Sequence, residues 1–179
     1  MLDDKRVKEA ESNVRQYLQE GLLRKMQNEA ALLMYKENSE VSLETAKKLL
    51  SLESDTYKPY LWVIVSSYYS MYYIANAVLL QLGYKVGENI SHKVTGDALI
   101  VFARNKLKKE LIEGYEDAKD DALALISSKA DDLLKSLDLE REKRGRFQYR
   151  MDEKAKKEKA LTSLERAKAF TFEMRKLLK

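Results

Sequence analysis

The chain has 179 residues, 45% of them hydrophobic and 35% charged, with a net charge of +4. That suits one domain with a sizeable core and fits a polyanion partner without requiring one. There is no cysteine and a single histidine, His92, which excludes disulfides, thiolate metal sites, cysteine nucleophiles and histidine-rich metal centres; no metal and no cofactor is expected.

Six glycines and one proline leave little material for turns, and the abundant Leu, Ala, Lys and Glu favour helix. The composition predicts an all-α protein. The start, MLDDKRVKEAES, is charged and lacks an apolar h-region, so no secretory signal and a cytoplasmic location are expected. Apolar residues recur at helical spacing through Val7, Ala10, Val14, Tyr17, Leu18 and Leu22 to Met34. They predict a first helix over about 3–36, bent near Gly21. Asn38 or Ser39 is the expected N-cap of a second helix through LETAKKLLSL. ESDTYKP reads as a loop, and Pro59 suits the first turn of a third helix.

That third helix is PYLWVIVSSYYSMYYIANAVLLQLGY, with no charge between Lys58 and Lys85. It is long enough to cross a bilayer. Its content argues against that: Ser66, Ser67, Ser70, Asn76 and Gln81 are polar, and Tyr68, Tyr69, Tyr72 and Tyr73 hold its middle, whereas membrane tyrosines gather at the interfaces. A base-stacking platform needs cations beside exposed rings, and this helix carries none. A helix apolar on every side is otherwise wrapped by other helices, and a central core helix is the expectation.

GYKVGENIS is the next loop, with Gly83 and Gly87, and Ser91 is the expected N-cap of a fourth helix through HKVTGDALIVFARNKL. A fifth helix is predicted over about 110–142 on Leu111, Tyr115, Ala118, Ala122, Leu125, Ile126, Leu133, Leu134 and Leu137. A break follows at RGRFQYRMD, then a last helix over about 153–178. No repeat or domain boundary interrupts the chain. It reads as a single domain over 1–179, an up-and-down bundle of about five to six helices, with a core over about 57–178 and the helices of 1–56 packed on it.

Charge is unevenly placed. The stretch from Arg141 to Lys159 is the most basic, with Arg141, Lys143, Arg144, Arg146 and Arg150 at its start and Phe147 and Tyr149 interleaved. Such a run either tracks a phosphate backbone and stacks a base or forms a solvated helix face. KKELIEGYEDAKDD is acidic through Glu110, Glu113, Glu116, Asp117, Asp120 and Asp121; with no histidine beside them, these acids read as a solvated face or a contact for a basic partner.

The string SSYYSMYYIANAVLLQLGYKVGENISHKVTGDALIVF resembles the central helix pair of HEPN-domain proteins, most of all the small stand-alone HEPN proteins of archaea and bacteria. Tyr68, Tyr69, Ala77, Leu79, Leu80 and Gly83 fall on the family's Tyr-Tyr-Ala-hydrophobic run, and Ser91, His92 and Gly96 on the segment that opens its next helix. Arg144 and Tyr149, in RGRFQY, match an Arg-x4-Tyr spacing of that branch without its Ala-Asp. The resemblance covers most of the chain from about residue 60 onward.

It implies a helical bundle that pairs as a homodimer. Many HEPN proteins carry an Arg-x4-6-His motif at the dimer cleft that cleaves RNA without metal, and several act as toxins beside a nucleotidyltransferase-like antitoxin. Here Tyr149 stands at the histidine position, and Met151 where some such toxins have a further tyrosine. The resemblance therefore leaves open whether the chain is a metal-independent endoribonuclease. Such cleavage needs proton transfer, which suits histidine, and stabilised phosphorane charge, which suits arginine. By the resemblance Arg144 would supply the charge, while Tyr149 is a poor base at neutral pH but can donate to phosphate. The alternatives are an Arg144–Glu140 pair one turn apart and a packed Tyr149. His92 follows an expected N-cap, where the helix dipole favours the neutral ring. It is either a base that reaches Arg144 or a structural histidine. The function expected is binding of RNA or a nucleotide at a dimer cleft around Arg144, in a toxin–antitoxin or defence setting. The alternative is a non-enzymatic module that binds a nucleotidyltransferase-like partner.

Overall fold

A computed structural model describes residues 2–139 and 153–178; of residues 128–139, 153 and 155 only the helical backbone is described. Among the described residues the chain forms six α-helices and one short two-stranded ribbon. The ribbon is the departure from an all-α bundle, and it arises where the sequence predicts one long helix over 3–36. Helix α1 runs Asp4–Gln19, capped by Asp3, whose carboxylate accepts from the Arg6 N–H at 2.8 Å. Gly21 then takes φ +72°, a left-handed turn that stops the helix. Strand β1, Leu23–Lys25, follows, and Asn28 accepts from the Ala31 N–H at 2.9 Å to start helix α2, Glu29–Ser51. Asn38 and Ser39 are therefore not caps but lie inside α2. The buried Ser39 hydroxyl donates to the Ser70 carbonyl at 2.8 Å and ties α2 to the next helix.

Helix α3, Tyr60–Gln81, is the axis of the bundle, packed against α2 and, from later in the chain, α4, α5 and α6. Its most apolar window has the length and hydropathy of a membrane span, yet 78% of that window is buried inside the bundle. Pro59 stands at the cap position with its carbonyl accepting from Val63. Gly83, at φ +89°, releases the chain into β2, Tyr84–Val86. Strands β1 and β2 pair antiparallel with Leu23 opposite Val86, Arg24 opposite Lys85 and Lys25 opposite Tyr84. Leu23 and Val86 turn into the core while Arg24 faces solvent.

Helix α4 spans Ser91–Phe102. Ser91 is its first residue and not its N-cap; Ile90 holds the cap position at φ +45°, with no side-chain cap bond. The expected continuation through Asn105 to Leu107 is instead a 3-10 turn, Arg104–Lys106. Helices α5, Lys109–Leu139, and α6, Glu153–Arg175, complete the bundle. Tyr68, Met71, Ile74 and Leu79 of α3 are fully buried with Leu99, Tyr115, Phe170 and Met174. A smaller apolar contact of Ala10, Ile100 and Ile112 joins α1, α4 and α5.

A polar node joins the same three helices. Asp97 of α4 is only 1% exposed. Its carboxylate meets the Arg6 guanidinium at 2.7 Å and accepts from the Tyr17 hydroxyl at 2.9 Å and the Asn13 amide at 3.0 Å. Arg6 also donates to Glu116 of α5 at 2.8 Å. Burial alone would lower the Arg6 guanidinium's pKa, but its bonds to Glu116 and Asp97 outweigh that and hold it above its ordinary value. Burial, reinforced by Asp97, pushes the Tyr17 phenol up, so it stays a donor. Breaking such a pair strands one charge in the interior. Arg6→Met is expected to destabilise the protein by about 3–5 kcal/mol in urea unfolding; a loss below about 1 kcal/mol would mean that neutral donors alone satisfy Asp97.

Candidate functional site

An open cleft of about 720 Å³ lies between the ribbon, the start of α2, the middle of α3 and the loop before α4. The ribbon brings in Arg24 and Lys85, the helices Tyr35, Tyr72 and Tyr73, and the α4 end Ser91. Arg24 and Lys85 are direct cross-strand partners. Like charges placed opposite each other weaken a ribbon, so this pairing is tolerated at a cost that a bound anion would relieve. The Arg24 Nε donates to the Gly21 carbonyl at 2.8 Å, which fixes the start of its fork. Glu88 is the acid on the rim.

The aromatic wall is built by helical spacing. Tyr69, Tyr72 and Tyr73 lie on one side of α3, and the Tyr73 ring stacks on Tyr35 of α2 with centroids 6.3 Å apart and planes at 27°. Burial, then neighbouring phenols, raises the pKa of Tyr35 and of Tyr73. Both stay protonated at neutral pH, so the wall offers ring faces and O–H donors with no negative charge to repel an anion. The loop that closes the cleft is pinned by Gly87, whose N–H donates to the Leu22 carbonyl at 2.8 Å. A Cβ there would sit 3.2 Å from that same oxygen, a tight contact that glycine avoids.

His92, one residue beyond Ser91, is half-buried at the foot of this wall. Its Nδ1 is 2.6 Å from the Tyr68 hydroxyl, and its ring centroid is 4.6 Å from that of Tyr72. Burial lowers its pKa, and Lys119 of α5 lowers it further. The ring is thus neutral near pH 7, as expected, but burial and a nearby ammonium are the causes found for it.

Arg141, Lys143, Arg144, Arg146, Tyr149 and Arg150 lie outside the described residues, and so does any meeting of His92 with Arg144. Of the later members of the basic run, Lys157 pairs with Glu53, in the loop after α2, at 2.7 Å and Lys159 with Asp121 of α5 at 2.7 Å. The acidic segment is less a solvated face than expected. Glu116 holds Arg6, Glu113 accepts from the Leu2 N–H at 2.6 Å, and Asp117 pairs with Arg166 of α6 at 2.9 Å. Among the described residues no group of three or more acids or histidines is placed to hold a metal ion.

Arg24, Tyr35 and Lys85 escaped the sequence reading, because Arg24 and Tyr35 were assigned to a continuous helix and Lys85 to a loop. GYKVG, a short alternating run between glycines, carried the one available strand signal. Set against protein-family models, curated proteins and solved structures, the chain gives no match. Its site is therefore read from its own residues.

A lowered histidine pKa has a signed consequence for stability. The folded-state pKa lies below the ordinary value of 6.5, so the unfolded chain takes up the proton first as pH falls. Stability from the neutral ring is complete above about pH 6.5 and is lost as pH drops toward the folded pKa. Melting at pH 7.5 and pH 5.0 is expected to show a larger drop for wild type than for His92→Gln. Equal drops would contradict a depressed His92.

Proposed function

We propose that the protein is a HEPN-like helical module that binds RNA or a nucleotide. The observation that supports this is the cleft, where two cations face each other across a ribbon beside a wall of three tyrosines. Every base has a π-face that can stack on tyrosine. Arg24 offers a planar fork to phosphate oxygens and Lys85 a point charge. The adjacent end of α4, lacking a side-chain cap, adds the partial positive charge of a helix N-terminus. The family resemblance extends the reading to a cytoplasmic homodimer in a toxin–antitoxin or defence setting, with Arg144 and Tyr149 at a dimer cleft. Metal-independent cleavage would need proton transfer in addition, with His92 as its nearest described carrier.

A second reading, a non-enzymatic module for a nucleotidyltransferase-like partner, is favoured by one feature. Leu33, Met34 and Val41 expose about half or more of their area, 55%, 48% and 58%, on the outer face of α2. Helical spacing places them together, and grouped apolar side chains suit a protein contact.

Fluorescence anisotropy with a labelled single-stranded RNA in EDTA, across a salt series, separates the two. The cleft reading expects the Arg24→Ala, Lys85→Ala double variant to weaken binding at least about tenfold and to flatten the salt slope by about 1.4, from two lost phosphate contacts at about 0.7 each. Affinity and slope unchanged in the double variant would remove the cleft from the binding surface. RNA cleavage assayed in the same buffer, comparing wild type with Arg144→Ala, tests the enzymatic version.

A further inference from the structure

Helix α3 is wrapped by its neighbours except along one face. Trp62, Ser66, Tyr69 and Tyr73 follow one another at helical spacing and so share that face. None of the four is buried, and Trp62 is 59% exposed. The face runs into the cleft, because Tyr73 lines both. The Tyr69 and Tyr73 ring centroids lie 5.9 Å apart, and the row continues from Tyr73 to Tyr35 at 6.3 Å. Ser66, the small side chain of the four, stands between Tyr69 and Trp62. From Trp62 to Tyr73 the helix rises about 16 Å. About five stacked nucleotides, at about 3.4 Å each, cover that length.

A stacking platform needs cations beside its rings, and α3 has none of its own between Lys58 and Lys85. The fold brings them to both ends of the open face. At the Tyr73 end the cleft sets Arg24 and Lys85 against Glu88. Beside the Trp62 end a second hollow of about 440 Å³, which Tyr60 also lines, sets Lys58, Lys154 and Lys157 against Glu53 and Asp55. Among these lining residues each end has one more cation than acids. Lys157 is held by Glu53 at 2.7 Å, so the second hollow contributes its net field and not a dedicated phosphate contact. Uncharged rings between two positive ends suit bases joined by phosphates. An apolar protein segment would cover the rings equally well but would make no use of the flanking cations.

We propose that the ligand is a single strand of RNA and not a lone nucleotide, with its bases stacked along α3 from Tyr73 past Tyr69 to Trp62. Trp62 is then a binding residue, and the site covers about five nucleotides. This rests on the nucleic-acid reading of the cleft and decides which form of ligand the cleft takes.

Trp62 is the one tryptophan of the chain, so indole fluorescence reports on the far end of the face alone. Adenosine 5′-monophosphate and oligoadenylates of two to eight nucleotides are titrated in EDTA, with binding followed separately by calorimetry. The mononucleotide is expected to leave the emission unchanged. The hexamer is expected to quench it in step with the heat, and affinity to climb with length to about five nucleotides and then level off. Trp62→Ala is expected to weaken hexamer binding about tenfold and mononucleotide binding not at all. Trp62→Phe, which keeps a ring at the same place, is expected to recover most of that loss. Hexamer heat without quenching, or an unchanged hexamer affinity in Trp62→Ala, overturns the inference and leaves the cleft as a nucleotide site. No heat at any length overturns the cleft reading, and the inference with it. A blue shift of the emission that grows with protein concentration before RNA is added assigns the face to a contact between copies and also overturns the inference.

Discussion

Burial of α3 organises the molecule. A helix of 22 residues with no charge and with apolar side chains around its circumference cannot leave any side in water at low cost. It must be surrounded, and α2, α4, α5 and α6 each meet part of it. The small residues on α3 let this happen closely: Ser70 comes near enough for its carbonyl and hydroxyl to face Ser39 of α2. With α3 at the centre, the elements before and after it are brought side by side, and the ribbon pairs residues on either side of it in sequence.

Wrapping a tyrosine-rich helix creates a second problem, because each phenol carries a donor that needs a partner once buried. The molecule meets it in graded fashion. Tyr72, Tyr73 and Tyr69 stay partly exposed and form a wall; Tyr68 finds His92; Tyr115, fully buried and stacked on Phe170, has no hydrogen-bond partner for its hydroxyl among the described residues. The phenols thus run from the buried Tyr115 and Tyr68 to the cleft-lining Tyr72 and Tyr73, and His92 meets Tyr68 and Tyr72 beside them.

The periphery is held differently. Helix α1 meets the bundle through α4, β1 and α5; beside its buried Ala10, Val14 and Tyr17, Arg6 bridges Asp97 and Glu116. Along α5 the acids divide this work, Glu113 and Glu116 toward the amino-terminal segment, Asp117 and Asp121 toward α6. Charge that reads as a solvated face in one dimension becomes inter-helix ties when the partners come from distant parts of the chain.

The sequence alone determined what depends on local pattern. Helical class, the buried role of the uncharged stretch, the break at Gly83 and the starts of α3, α4 and α6 all follow from periodicity, glycine and composition acting within a few residues. The neutral state of His92 was also legible, although its environment was not. Only tertiary structure decided the division of 3–36 into helix, strand and helix: β1 owes its existence to β2, and a three-residue strand has no propensity strong enough to declare itself without its partner. The same pairing put Arg24 opposite Lys85, and α2 and α3 supplied the tyrosines beside them. A cleft assembled from residues near positions 24, 35, 72 and 85 is invisible to any local reading, because what unites its parts is the packing of one apolar helix against everything around it.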